Sequence, residues 1–138
     1  MDYNEYERLC ELQRETNKKY LTIFENDLTQ AGLKEKTIKN HLFNVDLYIN
    51  EYLLRIEPLE IQHGCDYELD TFLGDFFIRK CTWSTPGTIK STAASIKKFY
   101  KSMNEHGYVD KESYQELCNV IKEGMEMWQE DCEAYNNF

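Results

Sequence analysis

A helix-start fragment occurs twice in this chain, about fifty residues apart, and it fixes where two of the long elements begin. Gly32-Leu33-Lys34-Glu35-Lys36-Thr37-Ile38 opens one apolar-periodic segment. Ser84-Thr85-Pro86-Gly87-Thr88-Ile89 opens the other, which runs on through Lys90, Ala93, Ile96, Lys97 and Tyr100. In the first segment Ile38, Leu42, Val45, Ile49 and Leu53 recur at steps of four, three, four and four, which is one buried stripe of an α-helix over roughly 35–56. In the second, Thr85 is suited to the N-cap and Pro86 to the first helical position, where its missing N–H costs nothing. That helix runs to about Asn104 and buries Ile89, Ala93, Ile96, Tyr100 and Met103.

The same logic gives three more helices. One covers roughly 3–31, with Asn17-Lys18 as a candidate break and Gly32 as the residue that takes positive φ just past its end. Another covers roughly 67–80 with Leu69, Phe72, Leu73, Phe76 and Phe77 on its apolar side. The last is capped by Asp110, reaches about Tyr135, and carries the stripe Tyr114, Leu117, Ile121, Met125, Trp128, Cys132 and Tyr135. Pro58 closes the second helix, and Leu59-Glu60-Ile61 reads as a short extended piece in the loop that follows. Only two Pro and six Gly in 138 residues disfavour a turn-rich β protein. The expected fold is therefore all-α, a compact bundle of four to five helices in a single domain over 1–138.

The five cysteines are odd in number and widely spaced, with no C-x-x-C, so they read as reduced packing residues rather than a disulfide or zinc framework. His63 with Cys65 is too isolated for a metal site, and Glu123, Glu126 and Glu130 read as a solvated helix face. Phosphate-cradling glycine loops, G-x-S-x-G and H-E-x-x-H are absent from the sequence, and the ten tyrosines form no nucleophile signature. Most of those tyrosines are expected at the core edge with the hydroxyl wet. No catalytic residue, cofactor or metal is assigned. The N-terminus is acidic and no apolar run reaches membrane-span length, so a cytoplasmic protein without membrane contact is expected.

The net charge of −9 is unevenly spread. Residues 105–138 hold nine acidic and two basic side chains, while no acidic residue lies between Asp75 and Glu105. At about 100° per residue, Lys97 and Lys101 each project within roughly 20° of Lys90, with Ala94 on the same line. Ser91, Thr92, Ser95 and Ser102 flank that row, so its small neighbours permit a close approach to a phosphate backbone. The helix start at Thr85 offers main-chain N–H groups to a phosphate as well. Lys34, Lys36, Lys39 and His41 form a second patch. With one arginine and no Asn or Gln on the row, phosphates are favoured over base edges.

From about Tyr20 to Leu117 the chain resembles the N-terminal core-binding, SAM-like domain of tyrosine recombinases, the phage-integrase family. The carrying pieces are Phe24-Glu25-Asn26-Asp27-Leu28, Gly32-Leu33 with Thr37-Ile38, Tyr52-Leu53, Leu59-Glu60-Ile61, and Thr88-Ile89 through Ile96-Lys97-Lys98-Phe99-Tyr100-Lys101. Asn104-Glu105-His106-Gly107-Tyr108-Val109 completes them. The resemblance implies a small helical bundle that grips one side of duplex DNA through its second and fourth helices. It nominates Lys36, Lys39, Thr85, Lys90, Lys97 and Lys101 for DNA contact. Two departures stand out. Lys34 occupies the usual Ser/Thr cap position, and the family's Arg, Lys, His-x-x-Arg and Tyr catalytic set has no counterpart here, so strand cleavage is not expected. Where the family passes to a catalytic domain, residues 110–135 form an additional acidic amphipathic helix. That helix either packs on the bundle, forms a homodimer contact, docks a partner recombinase, or folds its acidic face over the lysine row. The chain reads either as a stand-alone accessory protein or as the N-terminal piece of a longer recombinase. The rival reading is a protein-interaction module of the same fold that has lost DNA.

Overall fold

The computed structural model describes residues 1–137 and is all-helical, with no strand among the described residues. Six α-helices follow in chain order: α1 (Tyr3–Gln30), α2 (Glu35–Asp46), α3 (Tyr67–Thr71), α4 (Phe77–Lys80), α5 (Pro86–Glu105) and α6 (Lys111–Asn136). A π-helical turn, Leu47–Tyr52, extends α2, and a second, Phe72–Phe76, welds α3 and α4 into one rod. The expected helix over 67–80 is thus present, but with a wide turn in its middle. The structure groups into five rods, as the periodicity predicts.

Local signals set most ends. Asp2, Thr85 and Asp110 accept from main-chain N–H groups of the first turn at 2.8, 3.0 and 2.7 Å. Lys34 caps α2 with no side-chain bond, as its residue type requires. Gly32 and Gly107, with φ of 82° and 85°, turn the chain out of α1 and α5.

Rod α5 is the axis of the bundle, packed by α6 along one flank and by α2 and α1 along the other. Ile89, Ala93, Ile96, Phe99, Tyr100 and Met103 on it are buried. Phe24 meets Phe99 edge-on at 5.5 Å, and the Asp27 carboxylate ties α1 to the end of α5 through Ser102 at 2.6 Å and His106 at 2.9 Å.

The two π turns face one another. Tyr48 and Tyr52 lie 4.9 and 5.0 Å from Phe72, and Tyr52 lies 5.1 Å from Phe76. An extra residue in a turn rotates the following side chains, so Tyr48, Ile49, Tyr52 and Leu53 are all buried rather than Ile49 and Leu53 alone.

Four expectations are corrected or narrowed. Asn17 does not break α1. It is buried, and its amide donates to the Ile49 carbonyl at 3.2 Å and to Asn50 at 2.8 Å, beside the first π turn. Leu59-Glu60-Ile61 is extended only in part: Glu60 has φ −74° and ψ 159°, but Ile61 already opens a 3₁₀ turn, Ile61–His63. Three of the ten tyrosines are exceptions to the core-edge placement expected for most of them and lie wholly inside: the hydroxyls of Tyr48 and Tyr100 donate to the carbonyls of Gly64 and Ile61 at 2.7 and 2.6 Å, and that of Tyr52 accepts from Arg55 at 3.1 Å. The first two bonds clamp the loop after α2 to the core. Last, Tyr135 is 51% exposed and leaves the α6 stripe, while Leu117, Trp128 and Cys132 are buried.

Cys10, Cys65, Cys81 and Cys132 are buried free thiols, and burial pushes Cys65 up to about 12. Among the described residues no three His, Cys, Asp or Glu side chains converge as metal ligands, and no helix is long and apolar enough to cross a membrane.

Candidate nucleic-acid interface

The cap that starts α5 is reciprocal. Thr85 Oγ1 accepts from the Thr88 N–H at 3.0 Å, and the Thr85 N–H donates to Thr88 Oγ1 at 2.8 Å. The geometry fixes Thr85 at the surface and engages its hydroxyl in the cap. Pro86 has no N–H to give, so Gly87 supplies the first-turn N–H that the cap does not use. The helix start therefore presents one main-chain donor and the hydroxyl edge of Thr85 to an anion.

Along α5 the residues Lys90, Lys97 and Lys101 are exposed, and among the described residues none of them is in an ion pair. The row spans about 16 Å along the axis. Glu105 is the only acidic residue in α5. Among the described residues no α6 carboxylate is ion-paired with this row.

The α2-facing edge of α5 is fixed by hydrogen bonds. Ser95 Oγ lies 2.7 Å from His41 Nδ1 and 3.0 Å from the Asn44 amide. Ser95 projects about 140° round the helix from Lys90, so the row lies off the α2 seam, and its far end, Lys101, lines with Lys98 a groove between α1 and α5 beside Asp27 and Glu105. Lys98, only about 60° from Ser95, is the lysine on the α2 flank. Burial first, and then the Lys98 charge, lower the His41 pKa from its ordinary value. His41 is therefore neutral near pH 7 and adds no positive charge to the patch.

On α2, Lys36 is exposed and has no ion-pair partner among the described residues. Lys39 is also exposed but points the other way, into the trough between α1 and α2 beside Lys18 and Glu25, and lies 3.2 Å from Glu35. The structure thus puts five of the six nominated residues, Lys36, Thr85, Lys90, Lys97 and Lys101, on outer surfaces of α2 and α5 and turns Lys39 toward α1.

Between α2 and α5 lies a polar cleft of about 330 Å³ lined by Thr37, Asn40, His41, Asn44, Ser91 and Ser95. Phe43 also lines it, and the Trp83 ring lies 6.0 Å from that of Phe43, both exposed. Sequence reasoning passed over Lys98 and this cleft. Lys98 is off the row by one position, and the cleft exists only once two helices are packed.

Comparison of the chain with family models, with curated proteins and with solved structures returns no match.

Proposed function

We propose that the chain is a non-catalytic DNA-binding domain that grips duplex DNA through its phosphates, with the bundle belonging to the integrase core-binding, SAM-like type. The observation that carries this reading is the exposed lysine row on an α5 free of acidic residues up to Glu105. Lys90, Lys97 and Lys101 are the principal phosphate contacts, Lys98 and Lys36 extend them toward α2, and Thr85 marks one end. Lys39 contributes once its exposed pair with Glu35 opens, which costs little at the surface. The net charge of −9 and the acidic α6 favour a second reading, an interaction module that accompanies a recombinase and no longer touches DNA.

Salt dependence separates the two. Neutralising about four phosphates gives a slope of about −3.6 in log K against log salt, so affinity falls about 100-fold or more between about 50 and 200 mM salt. Changing Lys90→Glu, Lys97→Glu and Lys101→Glu together flattens that slope by about 3. Duplex binding that ignores the three changes, or no binding at about 50 mM salt, sinks the DNA reading.

A further inference from the structure

The α3–α4 rod and α6 enclose an open trough of about 670 Å³. Its floor is apolar: Val120 and the edge of Trp128 line it, and Tyr67 and Met127 stand 70% and 58% exposed on its walls. Its rim carries Asp66, Asp70, Asp75, Glu116, Glu123 and Asp131, and no lysine or arginine lines it. Asp75 is neutralised by Arg79 at 2.8 Å, and Asp70 accepts the Trp128 indole N–H at 2.9 Å. The other four carboxylates form no ion pair among the described residues. Large apolar side chains left in water under a rim of one charge sign fit a particular kind of surface, apolar in its centre and cationic at its edges.

We propose that this trough docks a cationic amphipathic helix of a partner protein, with its apolar anchors on Tyr67 and Met127 and its lysines or arginines against Asp66, Glu116, Glu123 and Asp131. Nucleic acid is excluded by the sign of the rim, and a small cation such as a polyamine would leave the apolar floor wet. Length matches as well. Glu116 to Asp131 spans about 22 Å along α6, which is about four turns of an antiparallel or parallel partner helix. The site lies on the flank of α6 turned away from α5, so the inference does not depend on the DNA reading.

The test uses the full chain and a fluorescein-labelled helical probe of about 18 residues with lysine on one face and leucine on the other. Two companion probes replace all leucines by serine or all lysines by glutamate. Fluorescence anisotropy is read at about 150 mM salt, where the Debye length is about 8 Å and distant charges are screened. Glu116→Gln, Glu123→Gln and Asp131→Asn together weaken the Lys/Leu probe about tenfold, as does Met127→Ser. All four positions are exposed, so the variants keep the fold, which circular dichroism verifies. Neutralising three exposed carboxylates on α1, Glu7→Gln, Glu11→Gln and Glu15→Gln, leaves affinity within about twofold. The proposal is overturned if the two triple variants lose affinity equally, if the Lys/Ser probe binds as well as the Lys/Leu probe, or if the Lys/Leu probe does not bind. A concentration-dependent dimer in sedimentation velocity that Met127→Ser abolishes also overturns it, because the occupant is then a second copy.

Discussion

Whether α6 is seated on the α3–α4 rod turns on one indole, and a single methyl group tests it. Trp128 is buried between two glycines, one on each rod. A Cβ at Gly74 would lie 2.8 Å from Trp128 Cδ1 and 2.9 Å from Nε1, and a Cβ at Gly124 would collide with the six-membered ring. In an open helix position Gly→Ala gains about 1 kcal/mol. At Gly124 the methyl must displace a ring held by its neighbours, which costs about 1–3 kcal/mol as overpacking. The ring also leaves Asp70, and a hydrogen bond to a charged acceptor is worth about 1.5–3 kcal/mol. The net expectation for Gly124→Ala is a loss of about 2–4 kcal/mol. With an m-value of about 2 kcal/mol/M, the urea midpoint falls by about 1–2 M while m itself holds. Gly87→Ala is the control. Its nearest foreign atom, Thr85 Oγ1, is 3.8 Å from the new methyl, so that variant is neutral or gains up to about 1 kcal/mol. In a Trp128→Phe background, where a smaller ring falls short of the outer indole atoms that the new methyl would strike and has no N–H to lose, the Gly124→Ala penalty shrinks. A Gly124→Ala protein that unfolds at the same or higher urea than the parent refutes this seating of α6.

Two further outcomes follow from the same packing. Tyr100→Phe leaves the Ile61 carbonyl without its 2.6 Å donor inside the core and lowers stability by about 1–3 kcal/mol, whereas Tyr3→Phe, exposed, changes nothing measurable by the same urea titration. The folded His41 pKa lies below its unfolded value, so the unfolded chain takes up the proton first, and stability falls as pH drops from about 6.5 toward the folded pKa and then levels. Thermal melts between about pH 7 and pH 5 show that fall, His41→Gln removes this part of it, and an unchanged slope in the variant refutes the assignment.

The helix ends were legible because their causes are local. Gly32, Thr85 and Asp110 each act within one turn of their own position, and the structure uses all three as their residue types suggest. The π turns were not legible, since nothing in Leu47–Tyr52 or Phe72–Phe76 departs from helical periodicity. Those turns widen so that Tyr48, Tyr52, Phe72 and Phe76 can interleave, which is a property of two segments together. Asn17 shows the converse error. Alone it reads as a breaker, but its buried amide serves the carbonyl of Ile49 on a neighbouring rod. The same division holds at the surface. The Lys90–Lys97–Lys101 row lies on one helix and follows from spacing alone, whereas the swing of Lys39 toward α1 and the place of Lys98 follow only once Ser95 meets His41.

Where the charge sits matters more than its sum. On α6, Gln129 faces α5 and bonds the Pro86 carbonyl at 3.0 Å, while Met127 projects about 160° away into the acidic trough. The trough and the lysine row are therefore separated by the width of a helix, about 10 Å. That exceeds the Debye length of about 8 Å at physiological ionic strength, so the rim carboxylates of α6 barely lower the potential at Lys90 or Lys97. At about 0.01 M salt the screening length grows to about 30 Å and the whole molecule acts as an anion. A chain of net charge −9 repels DNA at long range under those conditions, yet at physiological salt its α5 face acts as a local cation. Binding through the lysine row alone would therefore rise and then fall as salt increases, since counterion release weakens contacts that long-range repulsion first conceals. A monotonic decline from the lowest salt upward would mean that the repulsion never reaches the row, and that the two faces are more fully insulated than one helix width allows.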